Sequence, residues 1–449
     1  MNKFAALLTV LIGALAAPNG YAQSAEELHR SAVALAAKGK CNEAIPVYQK
    51  SIELKSTAEA YNDLGICYGT LGKFDEEIAC YEKALALRSN YSDALSNLGN
   101  AYSSKGQYNK AVETFLKAIE KNPDNPTTHY NLGIAYNAIG EDYKAIESFR
   151  KSVELKPDFM NAHINLGIAF NKIGVYSKAI EALKAASAIN SDNADIWRNL
   201  GNSYAYSEKF DLAMEAYERA IFLKPDFVEA YNNLGILYAT KGLNDKAIEQ
   251  YTKAISKDPN FAQAHYHLGI MYYAKKETDK AIEEYKTAVK LLPNYSKAYY
   301  NLGIAYSSKG DHKNAFASFG EAARINPKDP VVYYNLGLVS SNIGDDSSAA
   351  GYWNRAIELD PKYAEAYYCL GVIAEKHKED SSAIQHWKIA VTINPRYAEA
   401  FYALGLITGK QLSLDEDTRF ANKIKYFQTA ARFGYLPAQE WLQQINQKW

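Results

Sequence analysis

The sequence predicts an all-α protein, an α-solenoid of about twelve stacked helix pairs. The dipeptide Leu-Gly recurs at eleven sites from Leu64 to Leu404, and each step is 34 residues. Aromatic residues and alanines recur at fixed offsets from that pair, with the same period. An uninterrupted repeat overrides the domain count that 449 residues would otherwise suggest. We therefore treat nearly the whole chain as one array.

The first half of each repeat has the spacing of an amphipathic helix. We number the repeat so that the Leu of Leu-Gly is position 7. Positions 4, 7, 8 and 11 then share one helical face. Position 11 is aromatic in eight successive units, from Tyr68 to Tyr306. Polar turn residues such as Lys105-Gly106-Gln107 end this first helix.

The second half of each repeat predicts a partner helix that approaches the first one closely. Position 20 is Ala from Ala111 to Ala383, and position 27 is Ala except at Ser152. Position 24 is large, from Tyr81 to Trp387, and fills the space beside the small residues at positions 8 and 20. Pro at position 32 ends most units and opens the next helix. One pair cannot bury its own apolar face, so neighbours must stack into a continuous core.

This pattern resembles the tetratricopeptide repeat family, whose 34-residue unit reads Trp-x2-Leu-Gly-x2-Tyr, then Ala, aromatic, Ala and Pro. The resemblance covers 25–431 and implies a right-handed superhelix whose first helices line a concave groove. The units start near residues 25, 58, 92, 126, 160, 194, 228, 262, 296, 330, 364 and 398. Local departures include Ala32 in place of the Gly, Pro46 in a second helix and Glu77 in place of an Ala.

The C-terminal end departs from the repeat register. The stretch from Gly409 to Thr418 is predicted to be an inserted loop. The tail from Ala430 is similar to a Sel1-like helix pair, and residues 432–449 are expected to form a capping helix.

Residues 1–22 have the features of a secretory signal peptide. Lys3 precedes an apolar run from Phe4 to Ala17, and the small residues Gly20 and Ala22 permit cleavage before Gln23. The apolar run is short for a membrane span, which needs about 20 residues. An uncleaved anchor is the alternative. We expect an exported bacterial protein, periplasmic or secreted, without an integral membrane span after signal cleavage.

An oxidising compartment would permit one disulfide among the three neighbouring cysteines, Cys41, Cys67 and Cys80, and the sequence does not choose a pair. The alternative is that these residues and Cys369 are buried thiols.

The sequence contains no motif that predicts catalysis, a metal site or a cofactor. The net charge of −1 gives no field that would favour nucleic acid. His265 and His267 point apart on a helix and cannot share a metal ion. His129, His163 and His265 occupy position 4, an interior site, and are predicted to pack. We expect a protein that is not an enzyme.

Asn recurs at position 6, on the side of the first helix that faces away from the core of its own pair. Asn costs roughly half a kcal/mol relative to Ala inside a helix, so its recurrence calls for a cause. It is similar to the Asn ladder in the repeat domain of O-linked N-acetylglucosamine transferase, which implies binding of an extended peptide backbone. An alternative is that the Asn side chains bond to the neighbouring repeat and stiffen the solenoid. The predicted peptide-binding residues are Asn97, Asn131, Asn165, Asn199, Asn233, Asn301 and Asn335.

Tyr recurs at position 5, the predicted groove edge, in five successive C-terminal units. Tyr faces and hydroxyls suit peptides or sugars, and packing between first helices is the equal alternative. The residues are Tyr266, Tyr300, Tyr334, Tyr368 and Tyr402.

The sequence as a whole favours a non-catalytic scaffold that binds a partner protein or an extended peptide in the groove. Two other interpretations stay open: a carbohydrate-associated binding protein that uses the Tyr residues, and a structural solenoid that self-assembles end to end. The identity of the partner and the oligomeric state are not encoded in any pattern that we find.

Overall fold

The structure is a computed structural model that describes residues 23–410 and 415–449. These residues form α-helices joined by turns, and no strand occurs among them. The predicted signal peptide, residues 1–22, lies outside the described residues. No helix in the described part of the chain is long and apolar enough to cross a membrane.

The chain divides into two compact units, with the boundary after Pro225. The N-terminal unit contains α1 (Ala25–Ala37), α2 (Cys41–Leu54), α3 (Ala58–Thr70), α4 (Phe74–Leu87), α5 (Ser92–Ser104), α6 (Tyr108–Lys121), α7 (Pro126–Ala138), α8 (Asp142–Leu155), α9 (Met160–Lys172), α10 (Tyr176–Ile189), α11 (Ala194–Tyr206) and α12 (Phe210–Leu223).

The C-terminal unit begins at Asp226. It contains α13 (Val228–Thr240), α14 (Asn244–Lys257), α15 (Ala262–Ala274), α16 (Thr278–Leu291), α17 (Ser296–Ser308), α18 (His312–Ile325), α19 (Pro330–Asn342), α20 (Asp346–Leu359), α21 (Ala364–Lys376), α22 (Asp380–Ile393), α23 (Ala398–Thr408), α24 (Glu416–Arg432) and α25 (Leu436–Gln444).

Within each unit the helices stack in two layers. We call the odd-numbered helices up to α23 first helices and their partners second helices. Each first helix packs on its own second helix, and that second helix packs on the next first helix. First helices also touch one another directly, as α3 and α5 do in the N-terminal unit and α15 and α17 do in the C-terminal unit. The predicted all-α solenoid of twelve helix pairs is confirmed.

The Leu-Gly repeat is explained by the contact between the two helices of a pair. A Cβ atom added at Gly133 would lie 2.6 Å from two ring carbons of Phe149, and one at Gly269 would lie 2.6 Å from Tyr285. The Ala at position 20 is fully buried at every occurrence from Ala111 to Ala383. The large residue at position 24 therefore occupies the space that the Gly leaves empty. The Gly and the large residue recur together in successive repeats.

The turn inside each pair depends on one residue with a left-handed backbone. Position 15 carries this conformation, and Gly usually occupies it, as at Gly106 with φ 71°. Glu208, Lys276 and Lys378 adopt φ between 59° and 64° at the same position. The left-handed turn is thus kept even at the three positions where a residue other than Gly adopts it at a cost.

The last helix pair corrects one expectation from the sequence. The predicted loop from Gly409 to Thr418 is shorter, because α24 already begins at Glu416. The Asp415 carboxylate accepts hydrogen bonds from the Thr418 backbone N–H at 2.9 Å and its hydroxyl at 2.7 Å, and so caps the helix. Residues 411–414 lie outside the described residues. Helix α25 then packs on α24 and buries Leu442.

Candidate functional site

Within each unit the first helices present positions 2, 5, 6 and 9 on one surface, which we call the first-helix face of that unit. The Asn residues of position 6 are half-buried on this face, except for Asn199, which is 5% exposed. The prediction that position 6 simply faces away from the core is therefore incomplete. Within each unit, the preceding helix pair covers part of Asn residues such as Asn97, Asn165 and Asn301.

Three of the seven Asn amides bond to position 5 of the preceding pair, 35 residues earlier. The Asn97 Nδ2 donates to Asn62 Oδ1 at 3.0 Å. In the same way Asn165 donates to the Tyr130 hydroxyl at 3.0 Å. In the C-terminal unit Asn301 donates to the Tyr266 hydroxyl at 3.3 Å. These bonds are the ones that the alternative interpretation, a stiffening role, requires.

The remaining Asn residues depart from this pairing for local reasons. Asn131 donates to Asn100 Oδ1 at 2.8 Å, because the shorter Ser96 at position 5 is hydrogen-bonded to Thr128. Asn335 donates to the Val331 carbonyl of its own helix at 2.8 Å. Asn233 is half-buried at the start of the C-terminal unit.

The inter-pair bond uses only part of each amide. A primary amide has two N–H donors and a carbonyl oxygen that can accept. Within the described residues, the Oδ1 atoms of Asn165 and Asn301 accept no hydrogen bond. The preceding pair therefore fixes the orientation of each amide and leaves its acceptor available on a half-exposed surface.

The position 5 tyrosines pack against the aromatic residue that precedes the next first helix. The ring centroids of Tyr334 and Tyr363 are 5.2 Å apart, and those of Tyr368 and Tyr397 are 5.1 Å apart. Equivalent pairs are Tyr266 with Tyr295 at 4.8 Å and Tyr402 with Tyr435 at 5.0 Å. Each of these four rings thus contacts the residue before the next first helix and stays partly exposed.

Tyr300 is the exception among the five, because Asp329 precedes the next first helix. Its ring lies 5.7 Å from Phe319 of its own pair. Burial raises the pKa of the Tyr300 hydroxyl, and the nearby Asn335 amide opposes that rise. Burial also raises the pKa of Tyr368 to about 12. These tyrosines are therefore neutral hydroxyl donors near pH 7.

The sequence analysis did not predict the exposed row of aliphatic side chains at position 9. Each member lies one turn beyond position 6 and on the same face. The signal was available, because aligning the units by the Leu-Gly pair shows an aliphatic residue at position 9 in ten of twelve units. The members exposed by 37–45% are Val33, Ile66, Ile134, Ile168, Ile236 and Val372.

The three histidines at position 4 bond to the backbone carbonyl that lies six residues earlier, before the start of their helix. His129 and His163 bond through Nε2 to the carbonyls of Pro123 and Pro157 at 2.8 and 2.9 Å. His265 does so with Pro259.

His267 bonds through Nδ1 to Asn232 Oδ1 at 2.9 Å. Its ring stacks on Tyr251. In the described part of the chain, no group of three or more His, Cys, Asp or Glu side chains could hold a metal ion.

Comparison with family models identifies the repeats. Models described as "TPR repeat" and "Tetratricopeptide repeat" match many segments between residues 23 and 385. The segments of the first are 99–140, 169–207, 201–242, 237–275 and 270–310. Those of the second description are 23–90, 296–329, 80–113, 352–385, 126–159 and 331–363. The chain belongs to the tetratricopeptide repeat family. The resemblance to an Asn ladder and to a Sel1-like end remains a prediction.

Several solved structures of tetratricopeptide repeat proteins are similar to parts of the chain. The crystal structure of MamA is 36% identical over 37% of this chain and 97% of that chain, with a TM-score of 0.35. YrrB, described as a TPR protein with an unusual peptide-binding site, is 27% identical over 42% of this chain and 96% of that chain, with a TM-score of 0.34. Yeast Tom70 is 19% identical and covers 94% of both chains, with a TM-score of 0.38. The search of curated proteins finds no match.

Membership of this family fixes the general kind of function. The tetratricopeptide repeat fold is generally a non-catalytic scaffold for interactions with proteins or peptides. The first-helix face of this tetratricopeptide repeat protein offers oriented amides, aliphatic side chains and aromatic rings in parallel rows. It is the candidate binding surface.

Proposed function

We propose that this tetratricopeptide repeat protein is a non-catalytic scaffold that holds an extended segment of a partner protein along the first-helix face of one unit. The observation that carries the proposal is the orientation of Asn165 and Asn301. The preceding pair holds each amide in place, while its carbonyl oxygen has no partner among the described residues.

An oriented amide favours binding because its side-chain entropy has already been lost. Ordering a rotamer-rich side chain at an interface costs about 0.5–1.5 kcal/mol, and here the bond to the preceding pair meets that cost in the unbound protein. The amide acceptor suits a peptide N–H, and its second N–H suits a peptide C=O. Main-chain bonds of this kind give affinity with little dependence on peptide sequence.

The aliphatic row supplies the apolar part of the same surface. Ile134 and Ile168 are 37% and 40% exposed, one turn along the helix from Asn131 and Asn165. Packed helices lie about 8–10 Å apart, and an extended chain in the polyproline II conformation advances about 3.1 Å per residue with three residues per turn. A bound segment would therefore meet one amide and one aliphatic side chain about every three residues.

Export forms part of the proposal and rests on residues 1–22 alone. Lys3, the apolar run after it and the small residues Gly20 and Ala22 support cleavage before Gln23. A periplasmic or secreted scaffold would then meet its partner outside the cytoplasm. N-terminal sequencing of the mature protein from the producing cell tests this part, and an intact Met1 would contradict it.

The test of the binding site separates a structural Asn from one that contacts the ligand. We would measure binding of residues 23–449 to an array of unstructured 15-residue peptides, and compare Asn165→Ala and Asn301→Ala together with Tyr130→Phe and Tyr266→Phe together. Both double variants lose the bonds between pairs, but only the first loses the amides. We expect the first to lose most peptide binding and the second to retain most of it, weakened by about 0.5–1.5 kcal/mol for each amide that is no longer oriented.

Equal binding by the two double variants would assign the Asn residues a stiffening role and remove them from the site. Binding of neutral oligosaccharides in place of peptides, lost on Tyr368→Ala, would instead support the carbohydrate interpretation. Circular dichroism of each variant excludes unfolding as the cause of a loss.

A further inference from the structure

The C-terminal part of the first-helix face carries a patch of tyrosine rings. The patch comprises two tilted pairs, Tyr334 with Tyr363 and Tyr368 with Tyr397, whose rings meet at 42° in both cases. A third pair, Tyr402 with Tyr435, meets at 50°. Tilted rings do not cover each other's faces completely, and all six residues are half-exposed. No other stretch of the described chain repeats this pairing three times in succession.

Two exposed carboxylates belong to the same patch. Glu365 and Glu399 occupy position 2 of α21 and α23, two residues after Tyr363 and Tyr397. Glu365 contributes to raising the pKa of Tyr334, Tyr363 and Tyr397, which burial raises most. Such an electrostatic effect requires the carboxylate to lie close to the three rings.

Glu399 lies close to the rings at the C-terminal end of the patch. Glu399 contributes in the same direction to the raised pKa values of Tyr368 and Tyr435, again after the larger effect of burial. Neither Glu365 nor Glu399 forms an ion pair with a Lys or Arg among the described residues, whereas Glu375 on the same helix as Glu365 pairs with Lys410 at 3.6 Å. The patch therefore combines aromatic faces with two carboxylates that form no ion pair among the described residues.

We propose that this Tyr–Glu patch binds a basic peptide segment, with one Arg or Lys side chain per helix pair. The proposal rests on the proposed function and specifies its partner. A guanidinium or ammonium group over a Tyr face gains about 0.5–2 kcal/mol. The adjacent carboxylate adds a charge-assisted hydrogen bond. Arg fits better than Lys, because its planar group both stacks on a ring and pairs with a carboxylate.

The spacing of the pairs selects the conformation of the bound segment. The usual separation of packed helices, about 8–10 Å, is taken as the spacing of successive Tyr pairs. A polyproline II helix has three residues per turn and rises about 3.1 Å per residue, so every third side chain lies on one face about 9.3 Å from the last. Basic residues at every third position of such a segment match successive Tyr pairs. A β-strand repeats its face about every 6.6 Å and does not match.

The test uses fluorescence anisotropy with residues 23–449 and three labelled peptides. The first is Ac-(Arg-Pro-Pro)4, the second has four contiguous Arg followed by eight Pro, and the third is Ac-(Gln-Pro-Pro)4. The first two have equal charge and composition, so a difference between them reports spacing. We expect the first to bind most tightly, and Glu365→Gln with Glu399→Gln to weaken it by about tenfold or more.

A matched variant controls for the general loss of negative charge. Glu113→Gln with Glu147→Gln makes the same change on two exposed second-helix residues that form no ion pair among the described residues. We expect this control to bind Ac-(Arg-Pro-Pro)4 as the parent does. Replacing Tyr368 by Phe should retain the affinity, because the ring remains, and replacing it by Leu should lower it.

The outcomes separate this inference from the proposed function. If the neutral peptide binds as tightly as the first, the face binds peptide backbone without a basic preference, and only this inference fails. Equal binding of the two Arg peptides, or equal losses in the two Glu variants, also overturns it. If no peptide binds here and none binds on the 15-residue array, the proposed function fails as well.

Discussion

The Leu-Gly repeat makes a sharp prediction at Gly303, which faces Phe319 of its partner helix. A Cβ atom at Gly303 would lie 2.7 Å from two ring carbons of Phe319 and 2.9 Å from a third. Ordinary contacts between carbon atoms begin at about 3.5 Å, so the overlap is about 0.8 Å. Phe319 is fully buried and packs against Leu336 of the next pair, so the ring cannot retreat without disturbing that pair.

The matched control is Gly320, the residue that follows Phe319 in the same helix pair. A Cβ atom there would meet nothing within 4 Å. Both Gly→Ala changes lie inside helices and share the same gain in helix propensity, about 1 kcal/mol. Gly303→Ala alone also incurs the cost of overpacking, about 1–3 kcal/mol. The difference between the variants therefore isolates the steric cost.

We expect Gly320→Ala to raise the free energy of unfolding by about 1 kcal/mol. The free energy of unfolding of Gly303→Ala should be about 1–3 kcal/mol lower than that of Gly320→Ala. Urea unfolding followed by circular dichroism measures both, and hydrogen exchange over α17 to α19 locates the change. Equal midpoints for the two variants would refute the account of why Gly recurs at position 8.

Three further predictions concern contacts seen in the structure. A double-mutant cycle with Tyr266→Phe and Asn301→Ala should give a coupling of about 0.5–1.5 kcal/mol in urea unfolding, and no coupling would contradict the bond between pairs. His265 Nδ1 donates to the Glu284 carboxylate at 2.6 Å, and that bond raises the pKa of His265 above 6.5. Its contribution to stability should be full below about pH 6.5 and be lost as pH rises through the raised value. Glu284→Gln should flatten unfolding free energies measured between pH 6 and 8. All four cysteine thiols are free, and burial raises the pKa of three of them, Cys67, Cys80 and Cys369. Iodoacetamide at pH 7.5 should therefore label the cysteines only after the protein unfolds. Rapid labelling of the folded protein would contradict this prediction.

The helix pairs were predictable because their defining contacts recur with the period. Gly at position 8, Ala at position 20 and the ring at position 24 meet within one pair, so each repeat carries the whole signal. Gly133 and Phe149 illustrate this, since one side chain occupies the space that the other lacks. The register of the terminal pair was less predictable, because the cap formed by Asp415 and Thr418 follows residues outside the repeat pattern.

The environment of position 6 was not predictable from a helical-wheel projection of a single helix. Such a projection shows which residues face the partner helix of the same pair, and it contains no information about the preceding pair. Asn199 is 5% exposed for that reason. A periodic signal was nevertheless present, because a polar residue at position 5 precedes the Asn by 35 residues, as Tyr130 precedes Asn165 and Tyr266 precedes Asn301.

The aromatic pairs depend on contacts that no single repeat shows. Tyr334 and Tyr363 lie 29 residues apart and belong to different pairs, so their 5.2 Å approach follows from how the pairs stack. The sequence located the Tyr row and left its role open between packing and binding. The structure shows the packing, and the half-exposed faces leave the binding role to experiment.

The central claim is that a partner segment lies along the first-helix face. The most direct measurement is hydrogen exchange of residues 23–449, followed by mass spectrometry, with and without the tightest peptide from the array. We predict slower exchange in the first helices of one unit, such as α17 and α21 of the C-terminal unit, and unchanged exchange in the second helices between them. Protection confined to the second helices, or to α1 and α25 at the two ends, would contradict the claim.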